Sequence, residues 1–294
     1  MEYILQIKNL HKSYHKNLVI NDLNMNVPKG SIYGFVGQNG AGKTTTMRLV
    51  CGLQTHDSGE INLGFNDRRK IGAIIEAPAL NLEMTAKENM LFQFDLIGRK
   101  DYNTIDDVLE SVGLGDTGKK IAKKFSLGMK QRLGIAMALC YHPEILLLDE
   151  PTNGLDPQGI IEIRNLLLTI NQKYGITIVV SSHILEELSK IATHYGFIHC
   201  GRMVRELSAE ELFSEMQTRT ELHVNNIEKA QQVLQAAKYK FDILGNTIVV
   251  IGDVVLTDIV VLLHQNNIVV QKAISKDENL EEFFLKTIGG KSNV

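Results

Sequence analysis

The chain's 294 residues carry 31 Lys and Arg against 34 Asp and Glu, and the resulting formal net charge of −3 argues against a nucleic-acid-binding face. Hydrophobic residues make up 44%, enough for a proper core, and the length allows one large domain or two unequal ones. Cys51, Cys140 and Cys200 are scattered without metal-ligand spacing and read as reduced, buried thiols of a cytosolic protein.

In chain order, Tyr3 to Ile7 alternate as a strand, with Glu2, Gln6 and Lys8 among the apolar residues, so this start is not a leader peptide. Leu18 to Val27 suggest a second strand. Between them stands Tyr14, which reads either as an exposed aromatic able to stack on a purine or as a partly buried strand residue. Ile32 to Val36 form a short apolar strand, followed by Gly37-Gln38-Asn39-Gly40-Ala41-Gly42-Lys43-Thr44-Thr45 and the start of a helix. This is the pattern G-x-x-x-x-G-K-[ST] of a phosphate-binding loop. Glycines let the backbone curl round a polyphosphate, and the loop N–H groups and helix N-terminus face the anion. Lys43 would reach the β- and γ-phosphates, the Thr44 hydroxyl would sit on Mg²⁺, and Thr45 would donate to the α-phosphate.

Glu60 to Leu63 and Lys70 to Ile75 are further short strands, the second ending at Glu76-Ala77-Pro78. Residues from about Met84 to Leu114 have helical spacing, with Thr85 and Glu88 placed as a capping box. The reading is a helical subdomain, about residues 77–141, inserted into an α/β core. Phe125 to Arg132 open another helix, which Pro143 stops. The clustered Lys119, Lys120, Lys123 and Lys124 read as a solvated helix end. Ile145 to Leu148 form a continuous apolar run suited to a buried parallel strand, ending in Asp149-Glu150 at the end where open α/β sheets bind ligands. Asn153 to Pro157 make a turn, a helix follows to about Tyr174, and Thr177 to Val180 form another buried strand ending in Ser181-Ser182-His183.

Composition shifts near Met216. Beyond it the pattern is βαββαβ with a closing helix, the order of a ferredoxin-like module, with Asn225 and Glu228 as a capping box and Gly245-Asn246 as a hairpin turn. The apolar stretch 247–270 is interrupted by Asp253, Asp258 and His264, so no run reaches the roughly 20 residues of a membrane helix.

Taken together, these motifs resemble the ATP-binding subunit of an ABC transporter over about residues 1–215, leaving 216–294 as a small α+β accessory domain. The resemblance implies an α/β P-loop NTPase fold with an antiparallel β part and an inserted helical subdomain. It makes Tyr14 the adenine-stacking aromatic, residues 37–45 Walker A, Ile145 to Asp149 Walker B with Asp149 on Mg²⁺, and Glu150 the carboxylate that polarises the attacking water. Gly154-Leu155-Asp156 match the D-loop, and His183 the histidine that senses the γ-phosphate. The signature here is Phe125-Ser126-Leu127-Gly128-Met129, where the family usually has L-S-G-G-Q, and it keeps the two phosphate donors, Ser126 and Gly128. That clamp acts across a dimer, so a second copy of the chain is implied. Glu76 stands where the family's glutamine usually attends Mg²⁺, and a glutamate there resembles the subgroup that exports lantibiotics or bacitracin-like peptides.

The expected protein is therefore an ATP- and Mg²⁺-dependent ATPase that powers peptide-antibiotic export. It would pair with itself and with a membrane permease, bind no nucleic acid, and lie in the cytoplasm on the inner face of the membrane without inserting. The alternatives are an ABC exporter for a drug, lipid or polysaccharide, and a soluble non-transport ABC ATPase. The single P-loop and the lack of a long heptad run weigh against the second.

Overall fold

The computed structural model describes residues 2–15, 17–182, 185–216, 218–252, 254–277 and 280–289. The chain divides into two compact units, Met1–Ala209 and Glu210–Val294.

The first unit begins with two long strands, β1 (Tyr3–Tyr14) and β2 (Asn17–Pro28). Next come β3 (Ile32–Val36), helix α1 (Lys43–Val50), β4 (Ser58–Leu63) and β5 (Ile71–Ile74). Three helices follow: α2 (Ala86–Leu96), α3 (Ile105–Ser111) and α4 (Leu127–Leu139). The unit closes with β6 (Ile145–Asp149), α5 (Pro157–Tyr174), β7 (Thr177–Ser182), α6 (Leu185–Ser189), β8 (His194–His199) and β9 (Arg202–Ser208).

Two sheets result. The antiparallel one has the order β2-β1-β4, and the six-stranded one the order β5-β6-β7-β3-β8-β9. In the larger sheet only β9 runs antiparallel to its neighbour. Every residue of β3, β6 and β7 is buried, as unbroken apolar runs in a sheet covered on both faces should be. One buried cluster joins Leu5, Leu23 and Met25 of the small sheet to Phe35, Met47, Leu147 and Ile198, so α1 and its loop are wedged between the sheets. The register sets Val36 beside Ser182 and Asp149 beside Ser181, which gathers the C-terminal ends of three central strands at one edge.

The helices α2, α3 and α4 intervene between β5 and β6, as the expected insertion does. The capping box forms: the Glu88 amide donates to Thr85 Oγ1 at 3.2 Å, and Glu88 Oε2 accepts from the Thr85 amide at 2.7 Å. The lysine cluster falls on the turns before α4, where Lys123 pairs with Glu83 at 2.9 Å and Lys120 lies over the Phe125 ring. Of the three cysteines expected to be buried, Cys140 is buried, Cys51 is half-buried, and Cys200 is exposed in the turn between β8 and β9. Burial pushes the thiols of Cys51 and Cys140 up to about 12.

A polar network ties the small sheet to the large one. The buried Tyr33 hydroxyl donates to Glu206 Oε1 at 2.6 Å, and the Asn26 amide donates to the same oxygen at 2.8 Å. Burial and the neighbouring Glu206 charge hold the Tyr33 phenol well above its ordinary 10.0. Unfolded chains ionise there while the folded one keeps its proton, so the stability contributed is complete below pH 10.0 and is lost as pH rises above it. Tyr33→Phe should cost about 1–3 kcal/mol at neutral pH, because the bond it deletes is to a charged acceptor. It should also flatten part of the alkaline loss. Thermal melts at neutral pH and above 10.0 check both, and parallel curves for the two proteins would refute the assignment.

The second unit contains α7 (Ala209–Glu215, its first residue shared with the unit before), β10 (Thr218–Val224), α8 (Ile227–Ala236), β11 (Lys240–Leu244), β12 (Thr247–Ile251), α9 (Leu256–Gln265), β13 (Val270–Asp277) and α10 (Leu280–Gly289). Its strands form an antiparallel sheet in the order β11-β12-β10-β13. This split βαββαβ topology is the ferredoxin-like one. Leu222, Ile248 and Val250 pack against Ala230, Leu234, Ile259 and Leu263 of the two helices. The cap of α8 is Asn226, not Asn225: Asn226 Oδ1 accepts from the Lys229 amide at 2.9 Å. Asn225 instead accepts from the Val269 amide at 3.0 Å, so it serves the start of β13.

Candidate functional site

β3 delivers the chain to the P-loop, whose first residue is buried while Gln38, Asn39 and Gly40 are exposed. Two glycines are required by conformation, with φ +81° at Gly40 and +111° at Gly42. Gly37 is required by space, because a Cβ there would lie 2.6 Å from both Cγ2 and the backbone oxygen of Ile198. Nothing lies within 4 Å of the Cβ position of Gly40, so this part of the cradle opens outward. The hairpin after β8 braces the loop from behind, its Gly201 amide donating to the Ala41 carbonyl at 3.0 Å.

Lys43 is only 5% exposed, and its ammonium is fully engaged. Nζ donates to the carbonyls of Gly37 at 2.7 Å and Gln38 at 3.3 Å, and lies 3.5 Å from Glu150 Oε1. These oxygens occupy the coordination that phosphate oxygens would supply. Next to it, the Thr44 hydroxyl donates to Asp149 Oδ2 at 2.7 Å. The buried Asp149 accepts its second bond from Ser181 Oγ, at 2.6 Å on Oδ1. A hydroxyl and a carboxylate are hard oxygen donors of the kind Mg²⁺ prefers, so the residues fit that ion. Glu150 has a left-handed backbone, φ +48°, and its amide donates to Ser181 Oγ at 2.9 Å. Such a conformation in a residue with a Cβ is unfavourable and marks a position held by its surroundings. Lys43, Thr44, Asp149 and Glu150 thus converge at the sheet edge.

The remaining expected residues lie elsewhere. Tyr14 ends β1, half-buried, with its hydroxyl on Gln54 Oε1 and Lys12 Nζ 5.3 Å from its ring centre. Ser126 caps α4, accepting from the Met129 amide at 3.2 Å. Asp156 caps α5, accepting from the Gly159 amide at 3.2 Å. The signature and D-loop lie side by side within the chain, close enough that a Cβ on Gly154 would stand 3.3 Å from Leu127 Cδ2. Glu76 is paired with Arg48 of α1, whereas Thr44 and Asp149 are paired with each other. His183 lies outside the described residues. Sequence reasoning missed Ser181, Arg48 and Gln54. The signal for Ser181 was a hydroxyl closing an apolar strand beside the carboxylates; no local pattern marks the other two.

A phosphate-cradling loop, a buried lysine and paired carboxylates at the ends of parallel strands define a nucleotide-binding domain of the P-loop class. Residues 20–153 match the sequence profile of the family described as ABC transporter. The chain is 40% identical to the bacitracin transport ATP-binding protein BcrA of Bacillus licheniformis, over 99% of both chains. It is 45% identical to the lantibiotic transport ATP-binding protein SrtF of Streptococcus pyogenes, over 72% of this chain and 96% of that one. A solved ATP-binding cassette, described as a dimeric post-hydrolysis state bound to ADP and Pi, superposes with a TM-score of 0.62 at 25% identity, covering 70% of this chain and 98% of that one. The chain belongs to the ABC transporter ATP-binding proteins, and it is an ATPase. No described helix is long and apolar enough to cross a membrane.

Proposed function

We propose that this ATPase powers export of a peptide antibiotic, of the lantibiotic or bacitracin type, and so confers immunity or resistance. The observation that carries the reading is the similarity to a bacitracin transport subunit, which extends through the C-terminal unit as well as the cassette. Glu76, in place of the usual glutamine, agrees with it.

In the proposed mechanism the glycine-rich loop binds the phosphates and Tyr14 stacks on the adenine. Lys43 turns from the Gly37 and Gln38 carbonyls to phosphate oxygens, Thr45 adds a donor, and Thr44, Asp149 and Glu76 would hold Mg²⁺. When bound, Mg²⁺ neutralises charge on the β- and γ-phosphates. Glu150 orients the attacking water on the γ-phosphorus, with His183 holding a γ-phosphate oxygen. Preorganisation of this kind is the largest part of phosphoryl-transfer catalysis.

The second half of the site would come from a second copy. Ser126 Oγ accepts its capping bond and keeps its O–H free to donate. Gly128 has no internal reason to be glycine, because a Cβ there would meet only Leu155 Cδ2, at 3.9 Å. Open space at this helix start suits the close approach of a phosphate held by the partner copy. Asp156, at the start of α5 beside the signature, would join the same interface.

The membrane subunit would dock in the cleft of about 690 Å³ between β5 and the inserted helices, which Leu53, Pro78, Leu96 and Met137 help to line. Leu53 and Leu96 are 68% and 65% exposed there, a large apolar surface to leave to water. The protein would then work on the inner face of the membrane. Deleting the gene should sensitise its host to one or more peptides in a panel of lantibiotics and bacitracin. Sensitisation to lipids or unrelated drugs alone, with the peptide panel unchanged, would favour the other exporter reading.

A further inference from the structure

The junction between β5 and the helical insertion is the most conspicuous polar feature beside the site that the mechanism above does not explain. Glu76 has φ +65°, and the Ala77 amide donates to the Ile75 carbonyl at 2.9 Å across it. Those two facts make a γ-turn of the rarer, strained hand, with a β-substituted residue at its apex. The side chain is 67% exposed, yet it is not left to water: Glu76 Oε1 is bound by Nη2 of Arg48, whose own side chain is 30% exposed. Arg48 lies in the last turn of α1, the helix that the P-loop opens, five residues beyond Lys43. The helix that cradles phosphate at one end therefore grips the loop of the helical insertion at the other.

This arrangement changes what Glu76 can do. A glutamine at this position offers one neutral oxygen and an amide donor, so it forms no ion pair with a guanidinium. A glutamate gains charge, and here that charge is already committed to a guanidinium. Arg48 holds Oε1 and offsets the carboxylate's charge, so a divalent cation that takes Oε1 displaces the guanidinium, and one that takes Oε2 meets a carboxylate whose charge Arg48 already shares.

We propose that Arg48 is a positioning residue for Glu76: the Arg48–Glu76 pair competes with Mg²⁺ for the Glu76 carboxylate, and so sets the Mg²⁺ concentration at which the site binds nucleotide. The inference rests on the reading that Glu76 attends Mg²⁺. The strained turn places this carboxylate directly before Ala77 and Pro78, where the chain enters the helical insertion.

The test uses the full chain and a fluorescent ATP analogue at fixed concentration, titrated with Mg²⁺. Four proteins are compared: wild type, Arg48→Ala, Glu76→Gln and the double variant. Arg48→Ala should lower the half-saturating Mg²⁺ about two- to fivefold, the coupling range of a partly exposed ion pair. Glu76→Gln should raise it, and adding Arg48→Ala to Glu76→Gln should then change nothing further. A fall of equal size with and without Glu76→Gln would show that Arg48 acts as a bulk charge and would overturn the proposal. So would no change in Arg48→Ala. If Glu76→Gln alone leaves the Mg²⁺ requirement where it was, the Mg²⁺ role of Glu76 fails, and this inference with it. Arg48→Gln, which keeps the aliphatic stem, repeats the measurement should Arg48→Ala melt early.

Discussion

Glu150→Gln is expected to lower ATP turnover about 10²- to 10⁴-fold, the span of one group that handles the attacking water, while nucleotide binding persists. The reason lies in the distribution of contacts. Lys43, the residue that would grip the phosphates, donates its shortest bonds to the Gly37 and Gln38 carbonyls, and the carboxylate of Glu150 is the longer contact at 3.5 Å. Removing the charge leaves the cradle standing. It also replaces an acceptor-only group by one whose amide donates, which presents the wrong polarity to a water that must be deprotonated or oriented. Phosphate release and nucleotide affinity, measured on the same preparation, check this. Wild-type-like turnover would remove Glu150 from the mechanism.

Lys43→Ala should do the opposite and weaken ATP binding itself, by about 10- to 100-fold. Charge-assisted hydrogen bonds are worth about 1.5–3 kcal/mol, and each 1.4 kcal/mol is tenfold in affinity. The side chain is 5% exposed, so its loss also strips the compensating charge from Glu150 and the donor from two loop carbonyls. Calorimetric titration with ATP gives the affinity, and a melting curve shows whether the cradle survives. An unchanged affinity would mean that the lysine does not reach the nucleotide. Together the two variants separate binding from hydrolysis, which either alone leaves entangled.

Much of this site is legible in the amino-acid sequence. The P-loop is a local device: its glycines, lysine and threonine act within a few residues, so their spacing is the chemistry. The same holds for Asp149-Glu150, because a buried parallel strand is an unbroken apolar run and a carboxylate pair at its end has few other uses. The Thr85–Glu88 capping box was readable for the same reason, since its partners are three residues apart and face each other on any helix. Where partners are close in sequence but near-equivalent, the reading slipped. Asn225 and Asn226 are both good caps, and which one bonds α8 depends on where β13 passes, since Asn225 is taken by Val269. Cys200 is exposed against the general tendency of cysteine to be buried, because it stands beside Gly201 and Arg202 in the turn between β8 and β9.

Sequence alone determined the class of the protein, the order of its elements, the phosphate cradle, the acidic strand end and the βαββαβ pattern of the second unit. Each rests on periodicity or on contacts a few residues long, which chain geometry enforces whatever the rest of the fold does. The tertiary structure alone decided which distant groups meet. It set Asp149 against Thr44 and Ser181, separated from it by 105 and 32 residues, through the register of the parallel strands. It joined Glu206 to Tyr33 across 173 residues, and Glu76 to Arg48 across 28. Such pairs leave no spacing to read, because their distance along the chain is set by the elements between them and not by the interaction itself.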